Sequence, residues 1–162
     1  MTARDWIDQY QLQPHPEGGY YKRTYCSAGV FQGDPESDAF PAGRPWTTSI
    51  LYLMESGDFS GFHRLRSDEL WHFQVGGPLE LYILKELDQL ELIRMGNGEN
   101  LQVVVPANHW FAAAPCADTE YCLVGCTVSP GFDFRDHEMA RAEELIPTYP
   151  LQADIIRRYC RS

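Results

Sequence analysis

The sequence predicts an all-β domain, a sandwich or barrel of short antiparallel strands with one short helix near each end. Two observations carry this. Short runs of alternating apolar residues recur at even spacing between turn signals, the rhythm of a sandwich or barrel. The stretch Gly57–Gly77, GDFSGFHRLRSDELWHFQVGG, reads as strand, tight turn, strand, with Phe59–Leu65 and Glu69–Val75 flanking the polar corner Arg66-Ser67-Asp68.

In chain order, Thr2 followed by Asp5 is an N-cap with an acidic first turn, and Trp6, Ile7 and Tyr10 form the apolar stripe of a helix ending near Tyr10. Pro14 and Pro16 forbid its continuation. Gly18-Gly19 opens a strand through Tyr25, one face of which can offer a cation to the interior. Phe31–Pro45, rich in Gly, Pro and Asp, reads as a surface loop or lid. Thr47–Met54 is a strand, and Glu55–Asp58 turns it into the central stretch. Leu79–Leu84 begins another strand. Lys85–Met95 reads as a hairpin with its turn at Glu86–Gln89, and Gly96-Asn97-Gly98 as a second turn. Leu101–Val105, His109–Ala113 and Tyr121–Val128 complete the strands. Pro150 begins a helix to about Tyr159, with Ile155, Ile156 and Tyr159 buried.

The length of 162 residues suits a single domain, residues 1–162, with one sizeable core. An apolar fraction of 44% marks a globular chain. No run approaches the roughly 20 apolar residues of a membrane helix. MTARDWIDQYQLQ lacks the apolar core of a signal peptide, so a cytoplasmic location is expected. A formal charge of −10 argues against nucleic acid. Five cysteines without a CxxC pair argue against a disulfide framework. Cys122 and Cys126 share a strand face and read as buried small hydrophobes.

On strands, alternate side chains share a face. His63 and Leu65 therefore point one way; Glu69, Trp71 and Phe73 share one face, and His72 and Gln74 the other. A His and a Glu on neighbouring strands facing an apolar interior make a site for metal or acid–base chemistry. The alternative is a hydrogen-bonded core histidine and a glutamate at a strand start.

The spacing adds to this. Five residues separate Gly57 from His63, three separate Leu65 from Glu69, and six separate Glu69 from Gly76. This resembles the first motif of the cupin superfamily, with Leu65 in place of its second histidine. The second motif is matched loosely: Pro106 is present, Asn108 stands for its glycine, and Phe111 occupies the position of its histidine ligand. HPEGGYYKRTY (His15–Tyr25), RPWTTSILYL (Arg44–Leu53), SDELWHF (Ser67–Phe73), VVPANHWFAA (Val104–Ala113) and VGCTVSPGFDF (Val124–Phe134) resemble a family of bacterial and fungal cupins without an agreed reaction. The resemblance implies a double-stranded β-helix, the cupin jelly roll, with short N- and C-terminal helices and a small-molecule pocket between its sheets.

Metal-binding cupins use three His and one Glu. With only His63 and Glu69 retained, the resemblance implies no metal and no cofactor, since such ions take at least three protein ligands. His72 and His109 are the candidate replacements. His72 points away from Glu69, and His109 lies two residues before the expected ligand. The expected function is a metal-independent pocket of sugar- or nucleotide-sugar-isomerase type. His63 is its base, Glu69 its partner and Tyr52 its acid. Lys22, Thr48, Trp71, Phe73, Gln102, Trp110 and Phe111 are the candidate ligand-contacting residues. The alternatives are a non-catalytic binding or storage-like cupin, and a metal-dependent dioxygenase or isomerase. A homodimer is expected, since closed two-fold pairs are the commonest oligomers.

Overall fold

The computed structural model describes residues 1–33, 40 and 42–161. Helix α1 (Ala3–Tyr10) precedes β1 (Gln13–Pro14), β2 (Tyr20–Cys26), β3 (Val30–Phe31), β4 (Arg44–Pro45), β5 (Thr48–Glu55), β6 (Ser60–Arg64) and β7 (Asp68–Gly76). There follow β8 (Leu79–Lys85), β9 (Gln89–Met95), β10 (Gln102–Val105), β11 (Phe111–Pro115), β12 (Tyr121–Ser129), β13 (Glu138–Met139), α2 (Ala142–Leu145) and α3 (Ala153–Tyr159). The strands build a six-stranded sheet, ordered β1-β2-β5-β12-β7-β10, and a five-stranded sheet, ordered β13-β6-β11-β8-β9. All pairings within these two sheets are antiparallel.

Strand alternation sorts the apolar residues into three layers. Between the sheets lie Tyr52, Met54, Trp71, Leu81, Ile83, Phe111, Cys122 and Cys126. The opposite parity of β5 and β12 sends Leu53 and Leu123 to the outer face, where Ile7 and Ala3 of α1 cover them. On the other sheet, Phe62, Tyr82, Leu84 and Ala112 face outward under Ile156 and Tyr159 of α3. Each fully buried aliphatic side chain contributes roughly 1.5–3 kcal/mol, so both terminal helices are held by packing and not by their short length. Thr2 and Asp5 close a reciprocal capping box on α1.

Several boundaries move. The strand expected from His109 begins at Phe111, because Asn108 takes a left-handed conformation (φ 64°) with its N–H on the Leu65 carbonyl. On β7 the register against β12 shifts at Gln74. Phe73 therefore packs against the inner layer while Val75 joins the layer under α1. The loop expected at Phe31–Pro45 is tied at its base by β3 and β4, and Arg44 and Phe40 are buried. The remainder of that loop, residues 34–39 and 41, lies outside the described residues.

Candidate functional site

His63 sits on β6 with its side chain toward the sandwich interior, opposite in parity to Phe62. Its Nδ1 lies 2.7 Å from the Gly61 carbonyl oxygen. A carbonyl can only accept, so Nδ1 carries the proton and a neutral His63 presents its Nε2 lone pair to the interior. That Nε2 stands 3.0 Å from Glu17 Oε2. The same carboxylate oxygen stands 3.2 Å from His137 Nε2. Ligand atoms of Glu17, His63 and His137 all lie within 4.8 Å of one another.

Each of these residues is held by its own local device. Glu17 lies in a tight turn where the His15 N–H donates to Gly19 O (2.9 Å) and the Gly18 N–H to His15 O (3.0 Å). Gly18 (φ 111°) and Gly19 (φ 69°) are the residues this turn requires. A Cβ at Gly18 would strike the Phe59 carbonyl and the Arg161 guanidinium. Arg161 donates to the carbonyls of Glu17 and Phe59 and to the Asp58 carboxylate. His137 follows a short 3-10 turn, Phe134–Asp136, which the buried Asp136 anchors through a two-toothed ion pair with Arg44 (2.5 and 2.8 Å).

Burial opposes the Glu17 carboxylate, but His63, His137 and His15 outweigh it and hold its pKa at about 2. Burial pushes the His63 and His15 imidazoles below the usual histidine range, against the pull of Glu17. The two partners thus make opposite demands: the carboxylate wants a cation beside it, and burial disfavours making that cation from His63. The negative charge on Glu17 is the firmer of the two, because three imidazoles surround one carboxylate. Glu69 differs. Burial, with the charge on Glu17 behind it, raises its pKa to about 8. Its Oε2 makes no well-formed hydrogen bond among the described residues, and the Trp71 indole and Cys126 thiol are the donors beside the carboxyl.

These groups stand at the inner end of a cavity of about 600 Å³ between the sheets. Its walls include Tyr21, Ile50, Val128, Phe132 and Phe134, and exposed Gln11, Lys22 and Arg23 stand at its mouth.

The cavity brings together His63, Glu69, Thr48 and Lys22 of the residues expected from the sequence. Thr48 accepts the Phe132 N–H at 2.9 Å and so fixes the loop that leads to His137. Phe111 lies just behind the wall, its ring 4.2 Å from that of His63. The carboxylate on the His63 ring is Glu17, not Glu69. Tyr52 is not placed to act as the acid: its buried hydroxyl donates to Gly18 O at 2.6 Å, and burial pushes its pKa well above the usual phenol range. Trp71 is a core residue packed against Tyr52 and Phe111. Phe73 packs against the inner layer away from the cavity. Trp110 lies on the outer side of the five-stranded sheet, with Arg64 stacked 4.4 Å above its ring. Gln102 is exposed and pairs with His72 Nδ1 at 2.9 Å on the far face of β7, while His109 hydrogen-bonds the Ala107 carbonyl. Neither histidine joins the cluster.

Glu17 and His137 escaped the sequence reading, which sought ligands only at the motif positions. Both occur in the quoted segments or beside them: Glu17 within HPEGG and His137 just after VGCTVSPGFDF. Chemistry-bearing residue types in Gly- and Pro-rich loops were the available signal.

Residues 4–140 match the family described as Cupin superfamily (DUF985). A hypothetical protein from Leishmania major superposes with a TM-score of 0.90 at 32% identity, covering 100% of both chains. A Shewanella oneidensis protein gives 0.87 at 35% identity, covering 99% of this chain and 98% of the other. An uncharacterised Saccharomyces cerevisiae protein is 27% identical over 155 residues, 88% of this chain and 77% of that protein.

Proposed function

The chain belongs to the cupin superfamily, in the family described as DUF985, and from that premise we propose that Glu17, His63 and His137 hold a divalent transition-metal ion at the inner end of a small-molecule pocket. One observation carries the proposal. The Nε2 lone pair of a neutral His63 faces an ionised carboxylate oxygen at 3.0 Å, an arrangement that needs a cation between them. Two imidazoles and a carboxylate suit iron, manganese or zinc. For metal–ligand bonds of about 2.1 Å meeting near a right angle, neighbouring ligand atoms fall about 3.0 Å apart. The Glu17–His63 and Glu17–His137 separations of 3.0 and 3.2 Å fit that edge. The ligand count is then three, where the motif positions alone supplied two.

A metal ion bound there would polarise a ligand oxygen as a Lewis acid. The chain's own residues supply the rest. Gly61 fixes the tautomer and ring orientation of His63. Glu69, with a pKa near 8, is a neutral acid at pH 7 and can deliver a proton to a ligand in the cavity. The reaction class that fits is proton transfer next to a carbonyl, as in an isomerase. In the second reading, a proton replaces the metal and Glu17–His63 works as an acid–base pair; the same 3.0 Å contact then is a hydrogen bond. A ligand-free storage role fits less well, because it leaves a cavity of about 600 Å³ with the buried, ionised Glu17 carboxylate among its lining residues.

Elemental analysis of protein purified without chelators should find about one metal ion per chain. Glu17→Ala and His137→Ala should lose it, and His72→Ala should keep it. Metal-free wild type whose melting temperature ignores added Mn²⁺, Fe²⁺ and Zn²⁺ would overturn the metal centre and favour the shared proton.

A further inference from the structure

We propose that His15 is the ligand-orienting donor of the cavity: its Nε2–H hydrogen-bonds one oxygen of a small ligand whose adjacent oxygen sits on the Glu17–His63–His137 cluster. The inference rests on the pocket reading above. It adds a specificity residue and a ligand class, compounds with oxygens on neighbouring atoms such as an α-hydroxycarbonyl.

Neither the metal centre nor the acid–base pair uses His15. Its side chain is only 4% exposed, yet it lines the cavity. The Glu17 N–H donates to His15 Nδ1 at 3.3 Å. A nitrogen that accepts a hydrogen bond offers a lone pair, so the neutral ring carries its proton on Nε2. A proton on Nδ1 would meet the Glu17 N–H head-on. Glu17 Oε1, at 3.5 Å from the same Nδ1, is the longer contact and does not change the tautomer. His63 is the reverse case, with its proton on Nδ1 and its lone pair on Nε2. The inner end of the cavity therefore presents one imidazole lone pair, for a cation, and one imidazole N–H.

That N–H has no acceptor among the described residues: the contacts of the His15 ring nitrogens are those of Nδ1. Nor is Nε2 among the unpartnered polar atoms that the fold closes off completely, so it keeps open surface on a ring that lines the cavity. Other rings crowd the imidazole and fix its plane, Tyr21 edge-on at 4.5 Å, Tyr52 at 5.6 Å and Phe134 at 6.2 Å. An aromatic face is only a second-order acceptor. A buried N–H left unmatched is costly, and a ligand oxygen removes that cost. The ring also stands beside the cluster. Its Nδ1 lies 3.5 Å from Glu17 Oε1, and its centre 6.3 Å from that of His137. A ligand seated on the cluster through one oxygen thus has its neighbouring oxygen for His15. There a neutral imidazole N–H steadies negative charge gathering on a carbonyl oxygen without giving up its proton.

The test turns on which ring nitrogen each substitution imitates. His15→Asn puts an amide oxygen where Nδ1 accepts from Glu17 and leaves nothing at Nε2. His15→Gln puts an amide nitrogen where Nε2–H donates and gives up the Nδ1 contact. The full chain, incubated with Zn²⁺ and freed of excess, is titrated calorimetrically with acetohydroxamate, whose two oxygens stand on neighbouring atoms. Zinc content is measured on the same samples. Wild type should bind the probe about tenfold tighter than His15→Asn at equal zinc content, and His15→Gln should recover most of the loss. Long-range ¹H–¹⁵N spectra of wild type should show His15, assigned through its contact with the Tyr21 ring, protonated at Nε2, with that proton slowed in exchange by the probe. If circular dichroism shows the variants misfolded, these spectra decide. Equal affinity of wild type and His15→Asn, a zinc-loaded His15→Gln that binds no better than His15→Asn, His15 protonated at Nδ1, or no binding to wild type at millimolar concentration each overturn the inference. About one zinc per chain with equal affinities sinks this inference alone. Binding that depends on His15 in protein that holds no zinc sinks the metal centre alone.

Discussion

At Glu69 a carboxyl group is buried beside a second carboxylate, and its folded pKa of about 8 lies above the ordinary 4.5. The folded state therefore holds a proton that the unfolded chain releases. This stabilisation is fully present below about pH 4.5 and is lost as pH rises through 8, by an amount on the order of 5 kcal/mol at 1.36 per unit. Glu69→Gln removes the titration. Denaturant melts from pH 5 to 9 should show the variant gaining on wild type until about pH 8 and then running parallel. A constant difference across that range would refute the buried acid. At His63 the expectation is about the site. His63→Ala should abolish metal retention, because it removes one of three ligands, while His72→Ala, on the opposite face of β7, should retain it.

The elements that present Glu17 and His137 are held from a distance in sequence. The turn carrying Glu17 is clamped by Arg161, next to the chain's end, and by Asp58, whose Oδ2 accepts the Gly19 N–H at 2.7 Å. Arg161→Ala should lower stability by about 1–3 kcal/mol through the lost charge-assisted bonds, and it should weaken metal retention because Glu17 is no longer pinned. Equilibrium dialysis against a chelator series reads the second effect separately from a melt. The turn before His137 depends on the Arg44–Asp136 pair. Arg44→Ala strands a buried carboxylate and should cost about 3–5 kcal/mol, whereas Arg44→Met with Asp136→Leu should recover much of it. If the double variant is as unstable as the single, the turn is held by something other than this pair.

For the molecule as a whole, α1 and α3 cover the outer faces of the two sheets, and no residue of either helix is among the cavity's lining residues. None of the described helices is long and apolar enough to cross a membrane. Along β2, Tyr20 packs under α1 and Tyr21 lies on the cavity, whereas Tyr25 is exposed. It belongs to an end of the fold that also exposes Val30 and Trp46. We propose that two chains pair through this end. Light scattering should give twice the 18.5 kDa chain mass, and Trp46→Glu should return it to the monomer. A wild-type monomer at micromolar concentration rules the pairing out.

The strands, the two terminal helices and the inward parity of His63 and Glu69 were legible in the sequence, because period-2 alternation and turn residues are local signals. So was the αL role of Asn108, since Asn tolerates positive φ. The identity of the His63 partner was not legible. Glu17 lies 46 positions upstream of His63 and His137 lies 74 downstream; only the closing of the two sheets brings their side chains onto one another. Local pattern likewise could not tell an aromatic residue of the core, such as Trp71, from one of the cavity wall, such as Phe134. Both are apolar in sequence, and which of them meets open space depends on where the sheets part.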